Sequence, residues 1–121
     1  MRLVNLTPHA LTLRLPSGED MILAPSGQIA RVVSPDAGAP RAVEGLPVPV
    51  APAPEAGRVE GLPAPEAGVA YVVSGVVLTH GDVAGRADVY GPGTGPAHGA
   101  IRAGGQIVAV TCLVAAPGGA R

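Results

Sequence analysis

The sequence predicts an all-β protein, and three observations carry that expectation. The apolar residues fall in short runs, several alternating with polar ones at period two, as a half-buried strand requires. Pro, Gly and Ser clusters with specific turn chemistry separate the runs. No stretch carries the i, i+3, i+4, i+7 apolar spacing with a cap that marks a helix. The expected architecture is a small barrel or sandwich of about seven to nine short strands with a long Pro-rich arm or loop.

Residues 2–6 read as a first strand, ended by Pro8, which lacks an N–H and disfavours a helical Thr7. Ala10-Leu11-Thr12-Leu13-Arg14-Leu15 alternates cleanly and reads as the second. The Pro16-Ser17-Gly18 turn leads to Met21-Ile22-Leu23, and Ala24-Pro25-Ser26-Gly27 leads to a fourth strand over 28–33. Residues 1–33 are thus expected to form an N-terminal β meander.

Residues 34–68 differ in texture: eight prolines make this a repetitive Pro/Ala/Gly-rich arm or loop of extended geometry, unable to pair through a sheet. Short β pieces are expected only near Arg41. Val43-Glu44-Gly45-Leu46-Pro47 recurs as Val59-Glu60-Gly61-Leu62-Pro63, sixteen residues on. Pro52-Ala53-Pro54-Glu55-Ala56-Gly57 recurs as Pro63-Ala64-Pro65-Glu66-Ala67-Gly68, eleven on. Unequal offsets indicate local duplication, not a solenoid of fixed period.

Residues 69–114 are expected to be the C-terminal β half of the same domain. Val69 to Thr79 reads as two strands, or one bent at Gly75, and His80-Gly81-Asp82 as a turn. Arg86 to Tyr90 reads as a strand entering a loop over 91–99; a closing hairpin over 101–114 precedes a tail at 115–121.

Composition limits the functions available. The 121 residues hold 47% hydrophobic but only 2% aromatic residues, so the core must be aliphatic and thin for its length. Eight Arg and no Lys stand against nine acids, which reflects a GC-rich genome and leaves no field to steer nucleic acid. No apolar run approaches the roughly 18 residues of a membrane span, so a soluble, cytoplasmic protein is expected. Cys112, the single cysteine, lies in a strand-like run and reads as a buried structural thiol. His9, His80 and His98 have no ligand spacing, so no metal and no cofactor is expected.

Asn5-Leu6-Thr7-Pro8-His9, Tyr71-Val72-Val73-Ser74-Gly75, and Arg86-Ala87-Asp88-Val89 followed by Pro92-Gly93-Thr94-Gly95-Pro96 stand together in one chain. So does the closing Gly105-Gln106-Ile107-Val108-Ala109-Val110-Thr111. In combination they resemble a group of small, uncharacterised proteins encoded in phage and prophage regions. The resemblance covers both ends of the chain and skips the Pro-rich middle. It implies a phage-like origin, in the host cytoplasm or the virion, and no mechanism.

Two clusters qualify as ligand sites. Asn5, Thr7 and His9 are spaced by two; amide, hydroxyl and imidazole together can hold a ribose, phosphate or carboxylate, or can simply brace a turn. Arg86 and Asp88 share a strand face by the same spacing and offer a guanidinium fork with its orienting carboxylate, or a plain rim ion pair. Tyr71 and Ser74 are expected near the same sheet end, and Thr94 on the Gly-rich loop completes the set. That loop lacks the Gly-Lys-Ser/Thr ending and following helix of a nucleotide P-loop. No residue is assigned a catalytic role.

The function expected is non-enzymatic binding of a small polar or anionic, nucleotide-like ligand; the resemblance to phage-encoded proteins implies a signal of host defence as that ligand. A virion structural or accessory part acting by oligomerisation is the alternative, and a small hydrolase the minority reading. Homo-oligomers are expected in either non-enzymatic case.

Overall fold

A computed structural model describes residues 1–34, 38–53 and 57–118. Ten short strands dominate these residues, with one helical turn and one 3₁₀ turn, so the fold is all-β in the coarse sense. The strands form one four-stranded sheet and three two-stranded ribbons, with no closed barrel among the described residues.

The sheet organises the molecule. Strand β1 (Arg2–Asn5) pairs in parallel with β6 (Val69–Val72), which pairs in parallel with β7 (Val89–Pro92). The antiparallel β10 (Leu113–Ala115) closes the far edge. All four residues of β6 are buried, as a central strand covered on both faces requires, and its sequence accordingly does not alternate. Leu6, Tyr71, Val73, Val77, Val83 and Val89 form the heart of the core around it, aliphatic but for the Tyr71 ring.

Parallel neighbours need a crossover. The one from β6 to β7 runs through α1 (Gly75–Leu78) and a 3₁₀ turn at Gly81–Val83. The expected strand over 75–79 is therefore corrected to a single helical turn. Ser74 caps it, its Oγ accepting from the Val77 N–H, while Val77 and Leu78 sink into the core. Gly91 lets this turn lie close on β7: an added Cβ there would stand 2.9 Å from Leu78 Cδ2.

Of the meander expected over residues 1–33 only the hairpin of β2 (Leu11–Arg14) and β3 (Asp20–Leu23) forms, its last pair joined by an Arg14–Asp20 ion pair. The first strand pairs with β6 and the fourth with a strand of the Pro-rich segment. The expected hairpin of β8 (Ile101–Ala103) and β9 (Gln106–Ala109) is present. The expectation that the Pro-rich segment cannot pair is overturned. Its Arg58–Glu60 stretch, free of Pro, forms β5 against β4 (Arg31–Val33). Further out, Arg41 and Val50 exchange both main-chain hydrogen bonds, at 3.0 and 2.9 Å, closing a small hairpin with a turn from Val43 to Leu46. The duplicated copies at 54–56 lie partly outside the described residues.

Candidate functional site

Asn5 is the last residue of β1, 1% exposed, and its amide is fully used. Nδ2 donates to the carbonyls of His9 at 2.8 Å and Leu23 at 3.0 Å. Oδ1 accepts from Thr7 N–H at 2.9 Å and from Thr7 Oγ1 at 2.6 Å. Thr7 Oγ1 also lies 3.0 Å from the His9 carbonyl oxygen. The cluster is thus a knot that closes the bend at Pro8 and ties it to β3, the bracing role of the two weighed from sequence. His9 enters it through its main chain, with its side chain exposed.

Arg86 and Asp88 do not share a strand face, because both precede β7 in a turn. Their pairing is nonetheless direct and bidentate: Arg86 Nε to Asp88 Oδ1 at 2.8 Å, and Nη2 to Oδ2 at 2.9 Å. Nη2 also donates to the Pro63 carbonyl at 3.1 Å. The two side chains are only 22% and 18% exposed. The guanidinium's hydrogen bonds hold the Asp88 carboxyl below the usual carboxylate range, its positive charge adding to this against the opposing effect of burial. In return, Asp88's hydrogen bonds raise Arg86 further above its usual value.

These two clusters do not meet. Strand register sets Val89 level with Tyr71 and Val4, so Asp88 stands level with Leu3, near the start of β1, while Asn5 ends that strand and Thr7 lies beyond it. Arg86 and Asp88 lie where β1, β6 and β7 begin. A pocket of about 440 Å³ opens there, walled by these two with Glu66, Gly68, Tyr90 and Met1 among others. Asn5 and Thr7 lie where β1 ends, and Ser74 and Thr94 follow the ends of β6 and β7. The expected single pocket is corrected to two separated clusters, because parallel strands carry the start and finish of each to opposite rims.

The other expected site residues have local partners. Tyr71, 3% exposed, reaches the Ala64 carbonyl through its hydroxyl at 3.4 Å. Ser74 serves as the helix cap. Thr94 is exposed and lines a separate cavity of about 150 Å³ with Thr12 and Val110. Cys112 is exposed, not buried, since the strand run breaks at Thr111 and Cys112.

Sequence reasoning missed the residues that fasten the Pro-rich strap to the body. His80 Nε2 donates to the Gly57 carbonyl at 2.8 Å, while Nδ1 accepts from Asp82 N–H at 3.0 Å. Asp82 Oδ2 accepts from Val59 N–H at 2.9 Å, and Gln28 Nε2 donates to the Gly61 carbonyl at 2.7 Å. No short motif marks such contacts, because their acceptors are mostly main-chain carbonyls distant in sequence. Among the described residues no group of three His, Cys, Asp or Glu side chains is placed to hold a metal ion. Among the same residues no helix is long and apolar enough to cross a membrane. No family model, curated protein or solved structure matches the chain.

Proposed function

We propose that this chain is a non-enzymatic accessory or structural β protein, of the phage type its motifs resemble, that works by associating with further copies of itself. The observation that carries this reading is the outer hairpin. Val43, Leu46, Val48 and Val50 are 43%, 53%, 65% and 41% exposed within one eight-residue stretch. Covering the remaining exposed half of one such side chain contributes about 1 kcal/mol, and a cluster of exposed apolar side chains marks an interaction surface. Arg41 and Glu44 stand on the same stretch, so two hairpins laid antiparallel bring opposite charges together. A thin aliphatic core adds a reason for association. The host cytoplasm or the virion would be its setting.

A second reading is favoured by the pocket at the start of the parallel strands. Its volume of about 440 Å³ suits a small nucleotide-like ligand. Arg86 Nη1 has no hydrogen-bond partner among the described residues, which leaves its donors for such a ligand. The Arg86 guanidinium is already paired with Asp88, so a polar, hydroxyl-bearing ligand fits better than a bare anion. Native mass spectrometry of protein purified from phage-infected cells separates the two readings. Multiples of one chain without retained small molecule support association; a single chain carrying a small molecule overturns it in favour of the pocket.

A further inference from the structure

The chain carries a seven-residue motif twice. Val43-Glu44-Gly45-Leu46-Pro47-Val48-Pro49 reappears as Val59-Glu60-Gly61-Leu62-Pro63-Ala64-Pro65, differing only at Val48 against Ala64. Both copies hold their glycine in the same left-handed conformation, φ +88° at Gly45 and +85° at Gly61. Their surroundings are opposite. In the second copy Val59 and Leu62 pack against the core, and Gly61 presses so close to Ile29 that an added Cβ would lie 2.2 Å from its carbonyl oxygen. In the first copy Val43 and Leu46 stand in solvent and nothing lies within 4 Å of an added Cβ at Gly45.

We infer that the groove beside β4 is a docking site for this motif, and that residues 43–49 of the same chain can take the place of 59–65 in it. The polar contacts that seat the motif all go to its main chain: Asp82 to the Val59 N–H, Gln28 to the Gly61 carbonyl, Arg86 to the Pro63 carbonyl and Tyr71 to the Ala64 carbonyl. Main-chain contacts are blind to which copy supplies them. The two apolar anchors, Val and Leu, are identical in both. Chain length allows the exchange, with ten residues (33–42) left between Val32 and Val43 and nineteen (50–68) between Pro49 and Val69. A tethered segment competes at an effective concentration on the order of millimolar, so the chain's own copy outcompetes a neighbour's.

The resting occupant is the second copy, for a stated reason. Gly57 sits so close to β4 that an added Cβ would meet the Val33 carbonyl oxygen at 2.3 Å. A shift of sixteen residues brings Arg41 to that place, and its Cβ forces the segment to stand off from β4, which lengthens the His80 bond to the main-chain carbonyl at this position. Exchange also replaces Glu66 by Val50 at the wall of the Arg86–Asp88 pocket, so that its acidic side becomes aliphatic. The inference stands apart from self-association and does not need it.

A thermal-melting cycle of Leu62→Asp, Leu46→Asp and the double variant tests it, at two protein concentrations tenfold apart. Within a single chain Leu46→Asp alone should move the Tm little, since Leu46 is solvent-exposed there; any fall it causes through lost association changes with protein concentration and is separated by the two concentrations. Leu62→Asp should lower the Tm at least twice as far in the Leu46→Asp background as alone, because Leu46 is then no longer there to replace it. If Leu62→Asp unfolds the protein outright, Leu62→Ala takes its place in the cycle. Equal falls in both backgrounds would overturn the inference. Coupling that vanishes on dilution would place the exchange between chains and overturn the single-chain form.

Discussion

Arg86 and Pro63, twenty-three residues apart in the chain, are joined by a hydrogen bond of 3.1 Å from the guanidinium to the main-chain carbonyl. The same guanidinium grips Asp88 through two more bonds. One side chain therefore clips the Pro-rich strap to the start of β7, and its partner carboxylate holds it in place.

Arg86→Gln should release that clip and leave a mostly buried carboxylate unpaired, costing about 1–3 kcal/mol in urea denaturation at pH 7. The pH dependence follows from the sign of the Asp88 shift. Its pKa is depressed in the folded state, so its stabilisation is full above about pH 4 and is lost as pH falls through the folded value. Arg86→Gln removes the cause of the depression. The variant should lose less stability than the wild type between pH 5 and pH 2, and an equal loss in both would contradict the assignment.

Asn5→Ala should be among the most damaging single changes, at about 2–4 kcal/mol. It takes the side-chain partner from the Thr7 N–H and the Leu23 carbonyl and leaves the Thr7 hydroxyl only the His9 carbonyl, around a side chain that is 1% exposed. His9→Ala should stay within about 0.5 kcal/mol, because only its main chain joins the knot. Urea midpoints of the two variants decide this; comparable losses would mean the imidazole carries weight of its own.

This contrast also shows what could be read from sequence. The bend at Pro8 and the bracing role of Asn5 and Thr7 followed from short-range turn chemistry. So did the β2–β3 and β8–β9 hairpins, whose apolar runs and turn residues lie side by side in the chain. Pairing between distant stretches left no such mark. Nothing near Leu3 announces that it lies beside Ala70 in parallel, so the separation of Asp88 from Thr7 could not be foreseen. A four-residue helix has no period to detect, and α1 forms because Ser74 caps it and the core takes Val77 and Leu78. Strand β5 escaped notice because three Pro-free residues were judged by their Pro-rich neighbours.

Two glycines on β7 and just beyond it should respond unequally to alanine. At Gly91 the added methyl meets the end of the Leu78 side chain, which can turn aside. At Gly93 it would lie 2.8 Å from the Cys112 carbonyl oxygen, fixed by its bond from the Gly93 N–H. Gly93→Ala should therefore lower the Tm more than Gly91→Ala, with overpacking of this kind costing about 1–3 kcal/mol. The reverse order would contradict the packing described.

Cys112 should react with a disulfide reagent in the native protein without denaturant, since its side chain is exposed beside His98. Labelling that waits for unfolding would restore the buried role expected of a thiol in an apolar run.

Association through the outer hairpin is tested most directly by sedimentation equilibrium of the wild type beside Leu46→Asp/Val48→Asp, two exposed positions on that hairpin. The wild type should sediment at a multiple of the single-chain mass, and the double variant as one chain with its far-ultraviolet circular dichroism unchanged. A wild type that stays a single chain at the highest concentration, or a double variant that keeps the assembled mass, would contradict it.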